Sequence, residues 1–265
     1  MKYYVVADVH GFYSLLRRTL EEKGFFTDEE PRKLILLGDL FDRGGEAKEM
    51  QDFVIELMER DEVILVRGNH EDCITELADN FLSYLYGGDL RHTHHYVNGT
   101  IDTAEQLTGF DLSSMRASPY AFVSALKDTP YFSTIIPATV DYFETENYVF
   151  THGWIPCVRK GTYARYRYEP VDNWREADKD LWEAARWYNG MDAARSVTAD
   201  KTVVCGHRTA SYGHFKYERK GSEFGEDADF SPYYADGIIA IDACTAVSGK
   251  MNCIVIEDEP LLRLP

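Results

Sequence analysis

Three short pieces of this chain carry side chains that bind metals and move protons: DVHG at residues 8–11, GDLFDRG at 38–44 and RGNHE at 67–71. Each follows a short apolar run and so stands at the end of an expected strand. Asp8 and His10 are two positions apart, which puts both side chains on one side of an extended chain. Asp39 and Asp42 follow the run LILL. Asn69 offers a neutral oxygen, and His70 offers an acid or a base. His152 in FTHG and His207 in CGHR share the same local setting. Alone, D-x-H arises by chance, and GDxxD can be a turn whose Asp accepts backbone N–H groups. Five strand-end clusters in order point instead to a two-metal hydrolase. Adjacent metals need a bridging ligand. A carboxylate can share its oxygens, which an imidazole cannot do comfortably. Asp39, directly after the central apolar run, is the expected bridge. Mixed oxygen and nitrogen donors suit manganese, iron or zinc better than magnesium or calcium. The scattered cysteines form no thiolate cluster for structural zinc.

The elements that must position these groups alternate. Apolar runs at 3–7, 33–37 and 63–66 read as buried strands. Between them, 12–22 carries Leu15, Leu16 and Leu20 at helical spacing, closed by Gly24, and 47–60 carries Phe53, Val54, Leu57 and Met58 on one side. This β-α-β-α-β order favours a sheet covered by helices, with function at the carboxyl ends of the strands. A helix is expected over 73–86. Residues 89–128 carry no catalytic motif, include an expected helix at 113–127, and are read as a helical cap insertion. The second half is richer in strands, expected at 139–143, 148–151, 202–205, 213–218, 237–241 and 252–256. A helix is expected over 178–188, and the charged stretch 220–229 reads as a solvent-facing loop. The HTHH run at 92–95 reads as a surface cluster, because no paired acid follows it at clear spacing.

Composition narrows the class. The chain has 265 residues, enough for a full core, and is 45% hydrophobic with 18 Tyr and 14 Phe, so it is not disordered or fibrous. Its formal net charge of -17 opposes general nucleic-acid binding, though metals and a few arginines can reverse the field locally. No apolar run approaches the roughly 18 residues of a membrane span. The first residues read as a strand, not a signal peptide. Five scattered cysteines fit a reduced, cytoplasmic protein better than a disulfide framework. Cys73 lacks the glycine-rich arginine loop of a cysteine phosphatase and reads as core.

The ordered motifs resemble those of the calcineurin-like metallophosphoesterases. More narrowly, they are similar to the branch of serine/threonine phosphoprotein phosphatases and bacterial diadenosine tetraphosphatases. That branch has D-x-H-G, G-D-x-x-D-R-G, G-N-H-E, H-G and G-H, which appear here in that order over about 200 residues. The resemblance implies an α/β fold: a β-sandwich of two mixed sheets flanked by helices, with a dinuclear site at one edge and 1–265 as one catalytic domain. It implies that Asp8, His10 and Asp39 hold one metal and that Asp39, Asn69, His152 and His207 hold the other. Two divalent transition-metal ions are expected, manganese first, with iron or zinc as alternatives. His70 is implied as proton donor to the leaving oxygen, oriented by Asp42, and Arg43 as the grip on phosphate. A hydroxide shared by the two metals would attack phosphorus in line.

Substrate identity is the open point. A phosphomonoesterase of the serine/threonine phosphoprotein type is the first expectation, with a bis(5'-nucleosyl)-tetraphosphatase or other nucleotide hydrolase as the alternative. A non-catalytic metal-binding scaffold is the reading from another class, and the complete ligand set with His70 argues against it. Three residues could touch substrate. Arg208, beside the last histidine in GHRTASYGH, points at a phosphate or faces solvent. Arg186, in WEAAR, departs from the relatives' W-x-R spacing. Trp154 stacks on a substrate ring or packs. The expected partner is a phosphorylated protein or a small phosphoester or nucleotide, with no membrane.

Overall fold

The chain's structure is a computed structural model describing residues 1–87, 90–162 and 165–261. Its first half alternates as expected: β1 (Lys2–Val6), α1 (Tyr13–Lys23), β2 (Arg32–Leu37), α2 (Ala47–Glu59), β3 (Val63–Val66) and α3 (Asn69–Gly87). Strands β1, β2 and β3 pair in parallel, in registers such as Val6↔Leu36 and Leu37↔Val66. Their carboxyl ends therefore lie side by side. Both faces of these strands are buried, which is why they read as continuous apolar runs. Tyr4, Val6, Leu34 and Leu36 face a core shared with helices, while Tyr3, Val5, Ile35 and Leu37 face a second sheet. Gly24 ends α1 in the left-handed region at φ 84, as its position predicts.

The second sheet is built from β4 (Tyr142–Glu144), β5 (Tyr148–Thr151), β8 (Thr202–Cys205), β9 (Tyr233–Ala235) and β10 (Ile238–Ala240), in the order β4-β5-β8-β10-β9. Here β5, β8 and β10 are parallel and the edges are antiparallel. β11 (Cys253–Glu257) returns to the first sheet, antiparallel to β1. Phe150 and Val204 meet Val5 and Ile35 between the sheets. The outer face of the second sheet, through Val149, Val203 and Ile238, packs on α9 (Lys179–Arg186), α10 (Gly190–Ala193) and α11 (Ala210–Tyr217).

The expected two-sheet sandwich needs correction, because β6 (Cys157–Thr162) and β7 (Arg165–Pro170) pair as a separate third sheet. Their sequence is rich in Arg, Lys and Tyr, and β6 buries only its first residue, so no apolar period announced it. The expected strand at 213–218 is helical. Ala210, Ser211, Gly213 and His214 are its buried residues, a helical spacing that the aromatic content concealed. Residues 90–138 form a series of short helices, among them α4 (His94–Val97), α5 (Thr100–Thr108), α6 (Leu112–Ala117), α7 (Pro119–Lys127) and α8 (Ile136–Ala138). The single helix expected at 113–127 breaks at Ser118, at φ -137 and ψ 62. Proline cannot continue a helix from within and pushes its predecessor out of the α region. Ile101, Ala104, Phe122 and Leu126 join the core over the first sheet. Among the described residues, no helix is long and apolar enough to cross a membrane.

Candidate metal centre and active site

The side chains singled out above sit just past the carboxyl ends of β1, β2, β3, β5 and β8 and come together at one end of the two packed sheets. One donor atom each from His10, Asp39 and His70 lies within 4.8 Å of the others, and the same holds for Asp39, His152 and His207. Asp39 is common to both sets. Its Oδ2 lies 3.8 Å from His10 Nε2 and from His70 Nε2, while its Oδ1 lies 3.4 Å from His152 Nε2. Asn69 Oδ1 is 2.9 Å from both His152 Nε2 and His207 Nδ1. Asp8 belongs to neither triad. It is buried beside them, and its Oδ2 accepts the His207 backbone N–H at 2.9 Å.

The backbone is bent to aim these groups. Asp8, His10, Asp39, Asp42, Arg43 and His207 all have φ between 52 and 69. Side chains adopt this left-handed region at a cost of about 1–3 kcal/mol each, and such outliers concentrate at functional sites. Two neighbouring glycines are required by close approach. A Cβ on Gly68 would collide with the Asp39 carboxylate, and one on Gly206 with that of Asp8. Asn69 and His70 open α3 instead of lying in a loop before it, since that helix starts four residues earlier than its apolar pattern suggests. Successive helical positions point about 100° apart, so the two side chains diverge.

The donor set fits divalent transition metals. His10 Nδ1 is 3.1 Å from Phe41 O, and His152 Nδ1 is 2.6 Å from Leu37 O. Donation there leaves each Nε2 lone pair turned inward, the arrangement that orients histidine ligands. Burial lowers the pKa of His10 and of His207 to about 3, so both rings are neutral donors at ordinary pH. Burial alone would raise the Asp39 pKa, but the surrounding rings, His152 and His70 first, outweigh it and hold the carboxylate below its usual range. Neutral nitrogens facing a shared ionised carboxylate are what such ions require.

A second arrangement pairs a histidine with a carboxylate. His70 Nδ1 donates to Asp42 Oδ2 at 2.7 Å. Burial opposes charge on this ring, but the Asp39 charge, the Asp42 hydrogen bond and the Asp42 charge overcome it and raise the pKa to about 9. Asp42 is itself fixed by α5. Thr100 Oγ1 donates to its Oδ2 at 2.8 Å, and Thr103 Oγ1 donates to its Oδ1 at 2.7 Å. Arg43, exposed at the mouth, places Nη1 2.7 Å from His10 Nε2 and Nη2 3.2 Å from His70 Nε2.

Sequence reasoning missed several contributors. Asp242, buried just past β10, is a sixth strand-end group and, after Asp8 and Asp39, a third strand-end carboxylate; its Oδ1 accepts the Cys244 N–H at 2.6 Å. The run GIIAID carries the same apolar-then-acid signal as those at Asp8 and Asp39. Burial is the main cause raising its pKa, to about 6. Glu71, fully buried, accepts N–H groups of Asp39, Gly68 and Leu40 at 2.9, 2.8 and 3.0 Å, tying the second and third strand ends together. Trp187, 48% exposed, stands edge-on to the His207 ring with centroids 5.9 Å apart.

The three expected substrate contacts are engaged elsewhere. Arg186 is buried, with Nη1 2.6 Å from Asp72 Oδ2 and Nη2 2.5 Å from Asp141 Oδ1. Arg208 pairs with Glu223 and lies over the Tyr212 ring. Trp154 is buried in the core, its indole N–H donating to Val197 O at 3.2 Å. Cys73 is also buried, and burial pushes its thiol up to about 12, far from a thiolate nucleophile.

A profile of calcineurin-like phosphoesterases matches residues 1–239. The bis(5'-nucleosyl)-tetraphosphatase PrpE (asymmetrical) of Bacillus velezensis is 25% identical over 171 residues, covering 62% of this chain. The chain thus spans 61% of that relative's length. The protein of the same name from Geobacillus thermodenitrificans is 36% identical over 96 residues, 34% of this chain and 36% of that one. The crystal structure of a cold-active protein-tyrosine phosphatase from a psychrophilic Shewanella species superposes with a TM-score of 0.53 at 19% identity, covering 97% of this chain and 75% of that one. That likeness is one of fold.

Proposed function

The chain belongs to the calcineurin-like phosphoesterase family, and on that footing we propose that it hydrolyses dinucleoside polyphosphates at a two-metal centre. It is a metal-dependent phosphoesterase. The observation that carries the proposal is Asp39, whose two oxygens face separate histidine sets. Asp8, His10 and Asp39 would hold one divalent ion, and Asp39, Asn69, His152 and His207 the other, manganese being the favoured metal. Bound there, the pair would activate water and offset charge on the phosphate.

The chain's own residues supply the rest. His70, doubly protonated between Asp42 and the site, gives its Nε2 proton to the departing oxygen. Asp42 keeps the ring oriented and charged. A guanidinium has only donors, so Arg43 Nη2 and a protonated His70 Nε2 cannot satisfy each other. A phosphate oxygen drawn between them accepts from both, which places the reacting group against the acid and the grip together.

Two observations favour a nucleotide over a phosphoprotein. Relatives matched over three-fifths of their length carry the tetraphosphatase name. Trp187 presents an exposed ring on a cavity of about 380 Å³ that also includes Asn69, and a base can stack there. A larger cavity, about 650 Å³ beside Tyr168, Asp192 and Tyr212, contains none of the centre's residues. Phosphomonoester hydrolysis on a phosphoprotein thus becomes the second reading. Ranking kcat/KM with added manganese over dinucleoside tetraphosphate, phosphopeptides, mononucleotides and p-nitrophenyl phosphate tests the order. The dinucleotide should lead, and Trp187→Ala should raise its KM about tenfold or more. A phosphopeptide at the head of the ranking would overturn the nucleotide reading while leaving the metal centre standing.

A further inference from the structure

We propose that Glu76, His94 and His95 form a third metal site, apart from the catalytic centre, that takes one divalent ion of the zinc type. One donor atom from each residue lies within 4.8 Å of the other two. Glu76 comes from the middle of α3, and the two histidines open α4. The paired acid that the HTHH run lacks nearby in sequence thus comes from 18 residues upstream of His94.

His95 supplies an independent reason. It is wholly buried, at 0% exposure, and neither of its ring nitrogens has a hydrogen-bond partner among the described residues. Buried polar groups are almost always satisfied, so an imidazole left this way marks a place where a ligand belongs. Its neighbours are arranged for that ligand. His94 Nε2 lies 3.2 Å from Glu76 Oε2. The Tyr84 hydroxyl donates to the other oxygen, Glu76 Oε1, and so orients the carboxylate as outer partners orient metal ligands. The Tyr84 ring stands edge-on to His95 at 4.9 Å. Glu76 and His94 are exposed, so both can turn to close bonds of about 2.0–2.2 Å around an ion. They also line the cavity that holds Asn69 and Trp187, which gives the ion a path from solvent and leaves coordination positions for water. Two imidazoles and a carboxylate with open positions suit zinc, cobalt or iron better than magnesium or calcium.

The position gives the ion a structural task. From α4 the chain passes through Gly99, at φ 84, where a Cβ would meet the backbone N of Arg43. It then enters α5, whose Thr100 and Thr103 hold Asp42. An ion joining α3 to α4 fastens this segment to the helix that begins at Asn69 and His70.

The test counts ions. Tag-free, metal-stripped full-length protein is equilibrated with a tenfold excess of Zn²⁺, dialysed and analysed by plasma mass spectrometry. The double variant Glu76→Gln/His94→Ala changes only exposed side chains and should bind one equivalent fewer than the wild type. The same loss should appear in an Asp39→Asn background, which separates this site from the dinuclear one. Zinc-edge anomalous scattering from wild-type crystals reads the site without any variant, with a peak expected between the three side chains. Equal zinc content in wild type and double variant, or no peak at that position, overturns the proposal.

Discussion

Asp39 and Asp42 are three residues apart, yet their surroundings assign them different chemistry. Asp39 faces four histidines, and Asp42 faces one histidine and two threonine hydroxyls. His70 lies between the two sets, since its Nε2 also approaches Asp39. Substitution separates its roles. His70→Asn should retain metal content and lose roughly 10²–10⁴ in kcat on alkyl phosphates. The loss should shrink on p-nitrophenyl phosphate, whose leaving group needs little protonation. An equal loss on both, with an ion missing, would make His70 a ligand. Arg43→Ala should raise KM and lower kcat with metal content intact, and lysine should restore only part, because the planar fork is gone. An Arg43→Ala protein with unchanged kinetics would remove it from phosphate binding.

At the scale of elements, α5 supports the Asp42–His70 pair. Its two threonines give Asp42 three hydrogen bonds, counting the Asp42 N–H that Thr103 Oγ1 accepts at 2.9 Å. The double substitution Thr100→Val/Thr103→Val keeps shape and removes the hydroxyls. Hydrogen bonds to a charged group contribute about 1.5–3 kcal/mol each. The variant should therefore lose at least about tenfold in kcat on an alkyl phosphate while retaining its metals. Unchanged kcat would show that Asp42 needs no help from α5. Arg186 illustrates the opposite case, a residue expected at the substrate that instead joins Asp72 on α3 to Asp141 before β4. Those carboxylates are 27% and 40% exposed, so solvent screens the pairs. Arg186→Met should cost about 1–2 kcal/mol in urea unfolding, after that discount. A selective rise in KM for the tetraphosphate would instead return Arg186 to the substrate.

Over the whole molecule, the proposed ligands come from five strand ends in two sheets, so metal binding there would be coupled to the integrity of both. An ion held at a hundred times its dissociation constant adds about 2.7 kcal/mol. For a chain of this size, EDTA should then lower Tm by about 5–10 °C, and added manganese should restore it. A Tm indifferent to EDTA would deny that coupling. The pH dependence follows from the carboxylates. Burial, with neighbouring acids, raises the pKa of Asp8 and brings Asp242 to about 6. His10 and His207 are already neutral well below that. Asp8 is a proposed ligand and Asp242 lies beside it, so a bound cation favours both ionised forms; affinity should rise with pH through the range where Asp242 titrates, about 6, and release protons. Calorimetry in two buffers of different ionisation enthalpy measures that release, and a proton count of zero at pH 6 would be the contrary result.

The strand-end groups and their order were legible in the sequence because each is local: an apolar run, a tight turn, then a ligand-type side chain. The same locality made β1, β2, β3, β5 and β8 readable, each within a residue or two. What tertiary structure alone decided are the pairings across long stretches of chain. His152 reaches the carbonyl of Leu37, 115 residues away, and Arg186 reaches Asp72, 114 residues away. Trp154 and Trp187 look equally available in sequence, but packing buries the first and leaves the second beside His207. The separate β6–β7 sheet and the helical α11 escaped because their burial is partial and their residue types are ambiguous. His95 carries the same lesson, since only the fold sets a buried, unpartnered imidazole against a glutamate from another helix. A side chain's type is local information, whereas its burial and its partners depend on which distant segments close around it.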